Sequence, residues 1–266
     1  CKNIYTVHKA EEIEDMFKGF YDLSSAMLTQ TRNLDVVGNN MSNTATVGYK
    51  ADRYADTTFD EVMRSQIGNK QKNPQELGTT TSYITALDEV YTDHSQGALQ
   101  STGLPLDFGL EGNGYFAIQT DAGRVYTRNG SFMLDDQGYL ALAGQGRVLG
   151  RNGQQIYLGT DKINATSDGT ISTEAGQVLG QLGVFTFANP AQDLQETGGG
   201  MFTATGQPQL ATDTVVHHEM IERANIDLVQ QMTEMITCQR ALQSASQLSK
   251  MYDQIMSKAA TELGRV

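Results

Sequence analysis

Residues 16–50 read MFKGFYDLSSAMLTQTRNLDVVGNNMSNTATVGYK, a helical apolar pattern that stops abruptly in a polar segment. The apolar side chains recur at steps of three, four and seven residues, the spacing of one narrow helix face: Phe20, Leu23, Met27, Leu34, Val37 and Met41. The segment 38–48, GNNMSNTATVG, favours turns and left-handed backbone conformations. The sequence therefore predicts a helix from about residue 18 that ends between residues 40 and 43.

A second helical pattern occupies the other end of the chain. Residues 221–263 contain no Gly or Pro, and Asp227 with Gln230 has the spacing of an N-cap and capping box. We predict one helix over 227–263, roughly 55 Å long at 1.5 Å per residue. Its apolar seam comprises Leu228, Met232, Met235 and Leu242 and then Cys238, Ala241, Ala245, Leu248, Tyr252, Ile255 and Ala259. Periodicity leaves open whether the terminal helices pack within one chain or between copies; the length of the second favours packing between copies. Cys238 is expected to be a small core residue.

The middle of the chain has the pattern of short antiparallel strands. Apolar runs at 115–119, 124–127, 131–134, 139–142, 155–158 and 181–187 are separated by turn dipeptides such as Asn129-Gly130 and Asn152-Gly153. Arg124 and Arg128 are expected at exposed strand positions without a partner. The predicted fold is α+β: long N- and C-terminal helices pair in a coiled-coil-like layer, and the central domain is an antiparallel β-rich one.

Composition and charge exclude several function classes. The 266 residues carry 19 Lys and Arg against 31 Asp and Glu, a net charge of −12, and no basic cluster, which argues against binding to nucleic acid. No run of 18 apolar residues predicts a membrane-spanning helix, and the first residues lack the pattern of a cleaved leader. The two cysteines have no CxxC or partner-histidine spacing, so no zinc site is predicted.

Candidate catalytic and ligand-binding patterns are weak. The glycines of GLEGNGYF precede a strand, whereas a dinucleotide loop needs a helix there. The group His217, His218, Glu219 and Glu222 lacks metal-ligand spacing, and we expect a solvated junction instead. No paired nucleophile and base is found. The sequence predicts no enzyme, no cofactor, no metal and no small-molecule substrate.

Three separated blocks resemble the bacterial flagellar rod and hook protein family. The first, residues 16–50, is similar to its N-terminal signature and carries Leu34, Asn39, Asn40, Asn43, Gly48 and Lys50. The second, residues 96–140, is similar to its β-domain entry, with a TGLPLD turn, Gly112 and Gly114 before a strand, and YTRNGSF. The third, residues 223–248, is similar to its C-terminal helix, with Gln239 and Arg240 in QRA. Leu242 and the pair Gln230 and Gln231 depart from the family pattern.

The resemblance implies a structural subunit of the flagellar basal-body rod, many copies of which assemble helically into the shaft that transmits motor torque to the hook. It implies a natural start near Met16, and hence five segments: an extra tail 1–15, a rod helix and turn 16–53, a connector 54–96, a β-rich domain 97–217 and a C-terminal helix 218–266. Expected assembly-interface residues are Phe20, Leu23, Met27, Leu34, Val37, Met41, Leu228, Met232, Met235, Leu242, Leu248 and Ile255.

The expected partners are further copies of the chain, other rod and hook proteins and the flagellar export apparatus. The expected location is the basal body outside the cytoplasmic membrane, reached without a cleaved signal peptide. Length favours a proximal or distal rod protein over a hook-type subunit, and the two rod positions stay open. The rivals are a surface or adhesive β-domain binding protein with a helical stalk and, last, an enzyme whose carboxylates converge only on folding.

Overall fold

The computed structural model describes residues 2–58, 65–66, 75–76 and 85–263, with side chains described for residues 20, 22–55, 90–258 and 261. Two long helices lie at the ends of the chain: α1 spans Lys2–Ser42 and α3 spans Leu228–Leu263. The predicted end of α1 is confirmed, because α1 stops within the expected 40–43, and α3 occupies 228–263 of the expected 227–263. The start of α1 differs from the prediction: the helix begins at Lys2 rather than near residue 18, so it includes residues 2–15.

Local hydrogen bonds explain these helix boundaries. The Asp227 carboxylate accepts from the backbone N–H groups of Val229 at 2.9 Å and Gln230 at 3.3 Å, which confirms it as the N-cap of α3. At the end of α1, the Asn43 N–H donates to the carbonyl oxygens of Asn39 and Asn40, both at 3.1 Å. Gly48 then adopts a φ of 67°, a left-handed conformation that glycine reaches without the Cβ penalty of other residues.

The chain between the long helices is mainly antiparallel β structure with one short helix, α2, at Pro190–Asp193. Its strands are β1 Asp52–Thr58, β2 Ser65–Gln66, β3 Gln75–Glu76, β4 Thr85–Thr92, β5 Leu99–Ser101, β6 Phe108–Glu111, β7 Tyr115–Thr120, β8 Gly123–Thr127, β9 Phe132–Leu134, β10 Leu140–Leu142, β11 Gly146–Val148, β12 Ile163–Ala165, β13 Thr170–Thr173, β14 Val178–Gln181, β15 Val184–Thr186, β16 Leu194–Gly198, β17 Met201–Ala204, β18 Gln209–Leu210, β19 Val215–His218 and β20 Met220–Glu222. The α+β class is thereby confirmed.

Most predicted apolar runs form strands. Residues 115–119, 124–127, 131–134 and 139–142 overlap β7, β8, β9 and β10, and 181–187 contains β15. The run 155–158 is different: Gln155 and Tyr157 make only isolated bridges, to Leu149 and Tyr139. The largest sheet has the order β16-β17-β8-β7-β11-β10-β9; β15 also pairs with β7, and β18 pairs with β15.

Strand β7 lies at the centre of two apolar clusters. Phe116 and Ile118 point into one cluster with Phe108 and Leu140, whereas Tyr115 and Ala117 point into another with Phe202. Alternate residues of a strand face opposite sides of a sheet, so both faces of β7 are covered. This explains why β7 reads as the continuous apolar run YFAI rather than as an alternating pattern.

The chain divides into two compact units. One comprises Cys1–Gly38, Tyr54–Val90 and Met232–Val266, and the other comprises Asn39–Arg53 and Tyr91–Gln231. The second unit holds both apolar clusters of the β-rich region together with the loop that follows α1. We call it the β unit, and the first we call the helical unit.

Candidate functional site

A buried charge cluster of Lys50, Arg128 and Glu222 lies in the β unit. All three residues are at most 1% exposed. Lys50 Nζ lies 2.7 Å from Glu222 Oε1, and Arg128 Nη1 lies 3.2 Å from Glu222 Oε2. Lys50 comes from the loop after α1, Arg128 from the turn after β8, and Glu222 from the end of β20, so one carboxylate joins three distant parts of the sequence.

Backbone groups supply further hydrogen bonds to this cluster, although Arg128 Nε is buried without a hydrogen-bond partner. Lys50 Nζ donates to the Ser95 carbonyl oxygen at 2.6 Å, and Arg128 Nη2 donates to the Gly112 carbonyl oxygen at 2.6 Å. Glu222 Oε1 also accepts from the Gly97 N–H at 2.8 Å. Ion pairs of this kind repay the cost of leaving water only when their remaining polar atoms are also hydrogen-bonded. The cluster therefore holds together the loop after α1, the turn after β8 and strand β20.

Two asparagine side chains also hold the loop after α1, which carries Lys50. Asn40 Nδ2 donates to the Asp52 carbonyl oxygen at 2.7 Å, and the Asp52 N–H donates back to Asn40 Oδ1 at 3.0 Å. Asn225 Oδ1 accepts from the Ala51 N–H at 2.7 Å, while its Nδ2 donates to the Asp93 carbonyl oxygen at 2.8 Å. These amide side chains, buried at Asn40 and half-buried at Asn225, thus satisfy backbone groups of the segment after α1 and of the segment after β4.

Gly48 brings the loop against the turn that carries Arg128. Its N–H donates to the Glu222 carbonyl oxygen at 2.8 Å. A Cβ atom at this position would lie 2.3 Å from the backbone carbon of Arg128 and 2.3 Å from the backbone nitrogen of Asn129. No side chain fits there, and the left-handed φ adds a second reason for glycine.

Aromatic groups border the charge cluster. The Arg128 guanidinium carbon lies 5.0 Å from the centre of the Tyr115 ring, and the Tyr115 hydroxyl is 2.8 Å from His94 Nδ1. Burial, together with the charges of Lys50 and Arg128, lowers the pKa of His94 to about 4. Burial raises the pKa of Tyr115 to about 12. Both rings are consequently neutral near pH 7.

Two expectations about this region are wrong. Arg128 was expected at an exposed strand position without a partner, and Glu222 in a solvated junction, yet both are fully buried and paired with each other. Arg124 is exposed as expected, and its guanidinium carbon lies 6.0 Å from the centre of the Phe185 ring. A strand pattern indicates which face a residue occupies, but it does not reveal a charged partner almost a hundred residues away.

The remaining family-motif residues fall into three groups. Gly112 has a φ of 100°, whereas Gly114 is needed for close packing, because a Cβ there would lie 2.5 Å from Val184 Cγ1. Asn39 and Asn43 bond to each other at the end of α1, with Asn43 Nδ2 2.7 Å from Asn39 Oδ1. Gln239 and Arg240 are exposed on α3.

The predicted assembly residues divide by exposure. Val37 is 2% exposed, and Cys238 beside the seam of α3 is 4% exposed, as expected of a core residue. The half-buried members are Leu23, Met27, Leu34, Met41, Met235 and Leu242. The exposed members are Phe20, Leu228, Met232, Leu248 and Ile255.

Further apolar side chains are exposed next to the predicted seams. Val229 is 73% exposed, and Leu28 of α1 and Ile236, Met251 and Met256 of α3 are exposed as well. Sequence periodicity missed them because they fall outside the single stripe that the pattern selects. Single exposed apolar residues are common, whereas α3 carries several of them along its length.

Among the described residues, no group of three or more His, Cys, Asp or Glu side chains is placed to hold a metal ion. Among the described helices, none is long and apolar enough to cross a membrane.

Three families match successive parts of the chain. "Flagella basal body rod protein" matches residues 20–50, "Flagellar hook protein FlgE/F/G D1 domain" matches 109–173, and "Flagellar basal body rod FlgEFG protein C-terminal" matches 217–262. Each match contains one residue of the buried charge cluster: Lys50 lies in the first, Arg128 in the second and Glu222 in the third.

Curated proteins are similar over nearly the whole chain. The "Flagellar basal-body rod protein FlgG" of Bacillus subtilis (strain 168) is 34% identical over 91% of this chain and 98% of its own length. The "Flagellar basal-body rod protein FlgF" of Mesorhizobium japonicum is 28% identical over 94% of this chain and 99% of its own length. The "Flagellar hook-basal body complex protein FlhO" of B. subtilis is 29% identical, with 94% and 100% covered. The order of the three families and this coverage show that the chain belongs to the flagellar basal-body rod protein family.

Proposed function

We propose that this chain is a structural subunit of the flagellar basal-body rod and that many copies assemble helically into a shaft that transmits torque to the hook. The observation that carries the proposal is the series of exposed apolar side chains along α3. These are Leu228 at 39%, Val229 at 73%, Met232 at 47%, Ile236 at 49%, Leu248 at 50%, Met251 at 56%, Ile255 at 56% and Met256 at 36% exposure. Burial of one such side chain is worth about 1.5–3 kcal/mol, so repeated contacts along a helix can drive assembly.

The packing of α1 supports the same proposal. Asn33 Nδ2 donates to Cys238 Sγ at 3.3 Å, which brings this side of α1 into contact with α3 in the helical unit. The buried residues Thr29, Val37 and Asn40 lie on the Asn33 side. At 3.6 residues per turn, the mean direction of the predicted apolar seam lies about a quarter turn away. Asn33, on a polar side of α1, therefore contacts α3, whereas most members of the apolar seam of α1 are half-buried or exposed.

We infer that this exposed seam packs against helices of neighbouring copies in a coiled-coil-like layer. A helix with a narrow apolar face is stabilised mainly by packing against a partner helix, because helix propensity alone stabilises an isolated helix only weakly. The proposed division of labour assigns polymer contacts to α3 and to residues 16–42 of α1, and it assigns the outer part of the polymer to the β-rich domain, 97–217. The connector 54–96 and the tail 1–15 lie outside both of these roles.

The proposed partners are other copies of the chain, other rod and hook proteins, and the export apparatus. We place the assembled protein in the basal body outside the cytoplasmic membrane. Relatives named as rod proteins FlgG and FlgF support the rod rather than the hook, and a structural role accords with those names rather than with an enzyme.

Mass spectrometry of hook–basal bodies extracted with detergent from the native organism tests the proposal. We expect peptides from residues 97–206 at a low, fixed molar ratio to the hook protein, because a rod is short relative to a hook. Detection of the protein only in the cytosol or on the cell surface would refute a rod position. That result would favour a surface binding module with a helical stalk.

A further inference from the structure

Methionine side chains are exposed mainly on helix α3. Among the side chains that the structure describes, four methionines are exposed, and three of these lie on α3: Met232, Met251 and Met256. The fourth, Met133, lies on β9. Met232 is 47% exposed and Met133 is 48% exposed, so a small dissolved reagent has similar access to both side chains. A comparison of the two therefore separates the effect of position from the effect of exposure.

Met232 has an apolar side chain at each of its neighbouring positions on the helix surface. Residues three and four positions apart on a helix are neighbours. Those of Met232 are Leu228, Val229, Met235 and Ile236, and all except the half-buried Met235 are exposed. None of these side chains has an N–H or O–H group that could donate a hydrogen bond. A polar acceptor created on Met232 would therefore find no partner among them.

The other exposed methionines of α3 have polar neighbours. Gln247 lies four positions before Met251 and Gln254 lies three positions after it, and both side-chain amides are donors. Tyr252, whose hydroxyl is also a donor, lies four positions before Met256. Of the exposed methionines of α3, Met232 is therefore the one at which a new polar group would disturb the apolar surface most.

Hydrogen peroxide creates such a group by converting methionine into methionine sulfoxide. A sulfur lone pair attacks one peroxide oxygen, the O–O bond breaks, and the departing hydroxide takes the proton of the transferred oxygen to form water. Sulfur is oxidised and peroxide is reduced by one electron pair, and the flexible apolar side chain becomes a polar one. Methionine sulfoxide reductases restore the thioether, so the change is reversible.

We propose that Met232 is a reversible oxidation site and that its sulfoxide keeps the subunit out of the polymer. This regulation rests on the proposed function, because it acts on the exposed face of α3 that we assign to assembly. The side chain is exposed in the free subunit and covered in the polymer, so peroxide acts before assembly. A sulfoxide oxygen that is buried without a donor should weaken incorporation about tenfold or more.

The oxidation itself is tested on the purified full chain, without reference to the rod. After a short treatment with hydrogen peroxide, peptide mass spectrometry gives the rate at which each methionine gains an oxygen atom. Met232 and Met133 should react at similar rates, because their exposures match. Oxidation of Met133 with Met232 left intact would overturn the proposal.

The regulatory step is tested in cells of the native organism that lack methionine sulfoxide reductases. New protein is labelled with heavy isotopes, exposed to a short peroxide pulse and left to assemble after catalase has removed the peroxide. The sulfoxide fraction of each labelled methionine is then compared between the unassembled pool and extracted hook–basal bodies. We expect about tenfold depletion of Met232 sulfoxide in the basal bodies, and equal fractions of Met133 sulfoxide in both samples.

Met232→Leu is the oxidation-resistant variant, because leucine keeps an apolar side chain of similar volume without sulfur. The peroxide pulse should reduce its incorporation less than that of wild type, whereas the control Met133→Leu should respond as wild type does. Equal Met232 sulfoxide fractions in the pool and the basal bodies, or an equal loss of incorporation in Met232→Leu and wild type, would overturn this regulation and leave the rod assignment intact. Absence of the chain from basal bodies without peroxide would refute the rod assignment and, with it, the regulation.

Discussion

Single buried residues hold together segments of the β unit that are far apart in the sequence. Glu222 is the acidic partner of two buried cations, Lys50 and Arg128. Glu222→Gln keeps the side-chain shape but leaves two positive charges in a site that excludes water. We expect the free energy of unfolding to fall by about 3–5 kcal/mol, as measured by urea denaturation followed by circular dichroism.

The control for this variant is Glu219→Gln, three residues away at an exposed position. It should change stability by less than about 0.5 kcal/mol, the range of ordinary surface substitutions. A Glu222→Gln protein as stable as the Glu219→Gln protein would show that the charge cluster does not hold the segments together.

Gly48 provides a second test at the residue scale, with a close control. Gly48 and Gly144 have φ values of 67° and 69°, but only Gly48 has backbone atoms within 4 Å of a Cβ position. Gly144→Ala should cost about 1 kcal/mol for its conformation alone, whereas Gly48→Ala should cost about 3 kcal/mol or more. Equal changes in the unfolding midpoint would contradict the close contact with Arg128 and Asn129.

At the element scale, the stability of helix α3 depends on its N-cap, Asp227. Asp227→Ala removes the acceptor for the first backbone N–H groups of the helix and should cost about 0.5–2 kcal/mol. Hydrogen exchange of the Val229 and Gln230 amides should become faster in this variant. Asp227→Asn keeps an acceptor oxygen and should retain most of the protection. Equally fast exchange in both variants would contradict the capping role.

The elements themselves could largely be predicted from sequence. Glycine-rich polar residues mark the end of α1, Asp227 marks the start of α3, and Asn-Gly dipeptides separate several of the strands. These signals are local, because backbone conformation is restricted by the residue and its neighbours. The early start of α1 was not predicted, since the apolar spacing that identified the helix begins only at Phe20.

The charge cluster could not be predicted as a site. Lys50, Arg128 and Glu222 belong to different segments, and no local pattern distinguishes a buried charged residue from an exposed one. Resemblance to a family identified Lys50 as a motif residue without a role. Its role becomes clear only when the fold brings Glu222 within 2.7 Å.

At the scale of the whole molecule, we assign folding to the β unit and assembly to the exposed helix faces. Val37 is buried within the chain, so a substitution there tests the packing of one subunit rather than contacts between subunits. Met232 is suited to a test of contacts between subunits. It is 47% exposed, and Met133 on β9 is 48% exposed, which makes the two methionines a matched pair.

The most direct test compares incorporation of Met232→Glu and Met133→Glu into basal bodies of cells that lack the wild-type chain. Quantitative mass spectrometry of extracted hook–basal bodies would give the ratio of each variant to the hook protein. The account predicts that Met133→Glu is incorporated at the wild-type ratio and that Met232→Glu is absent, although both purified proteins unfold at the wild-type urea concentration. Equal incorporation of the two variants would contradict assembly through the exposed face of α3.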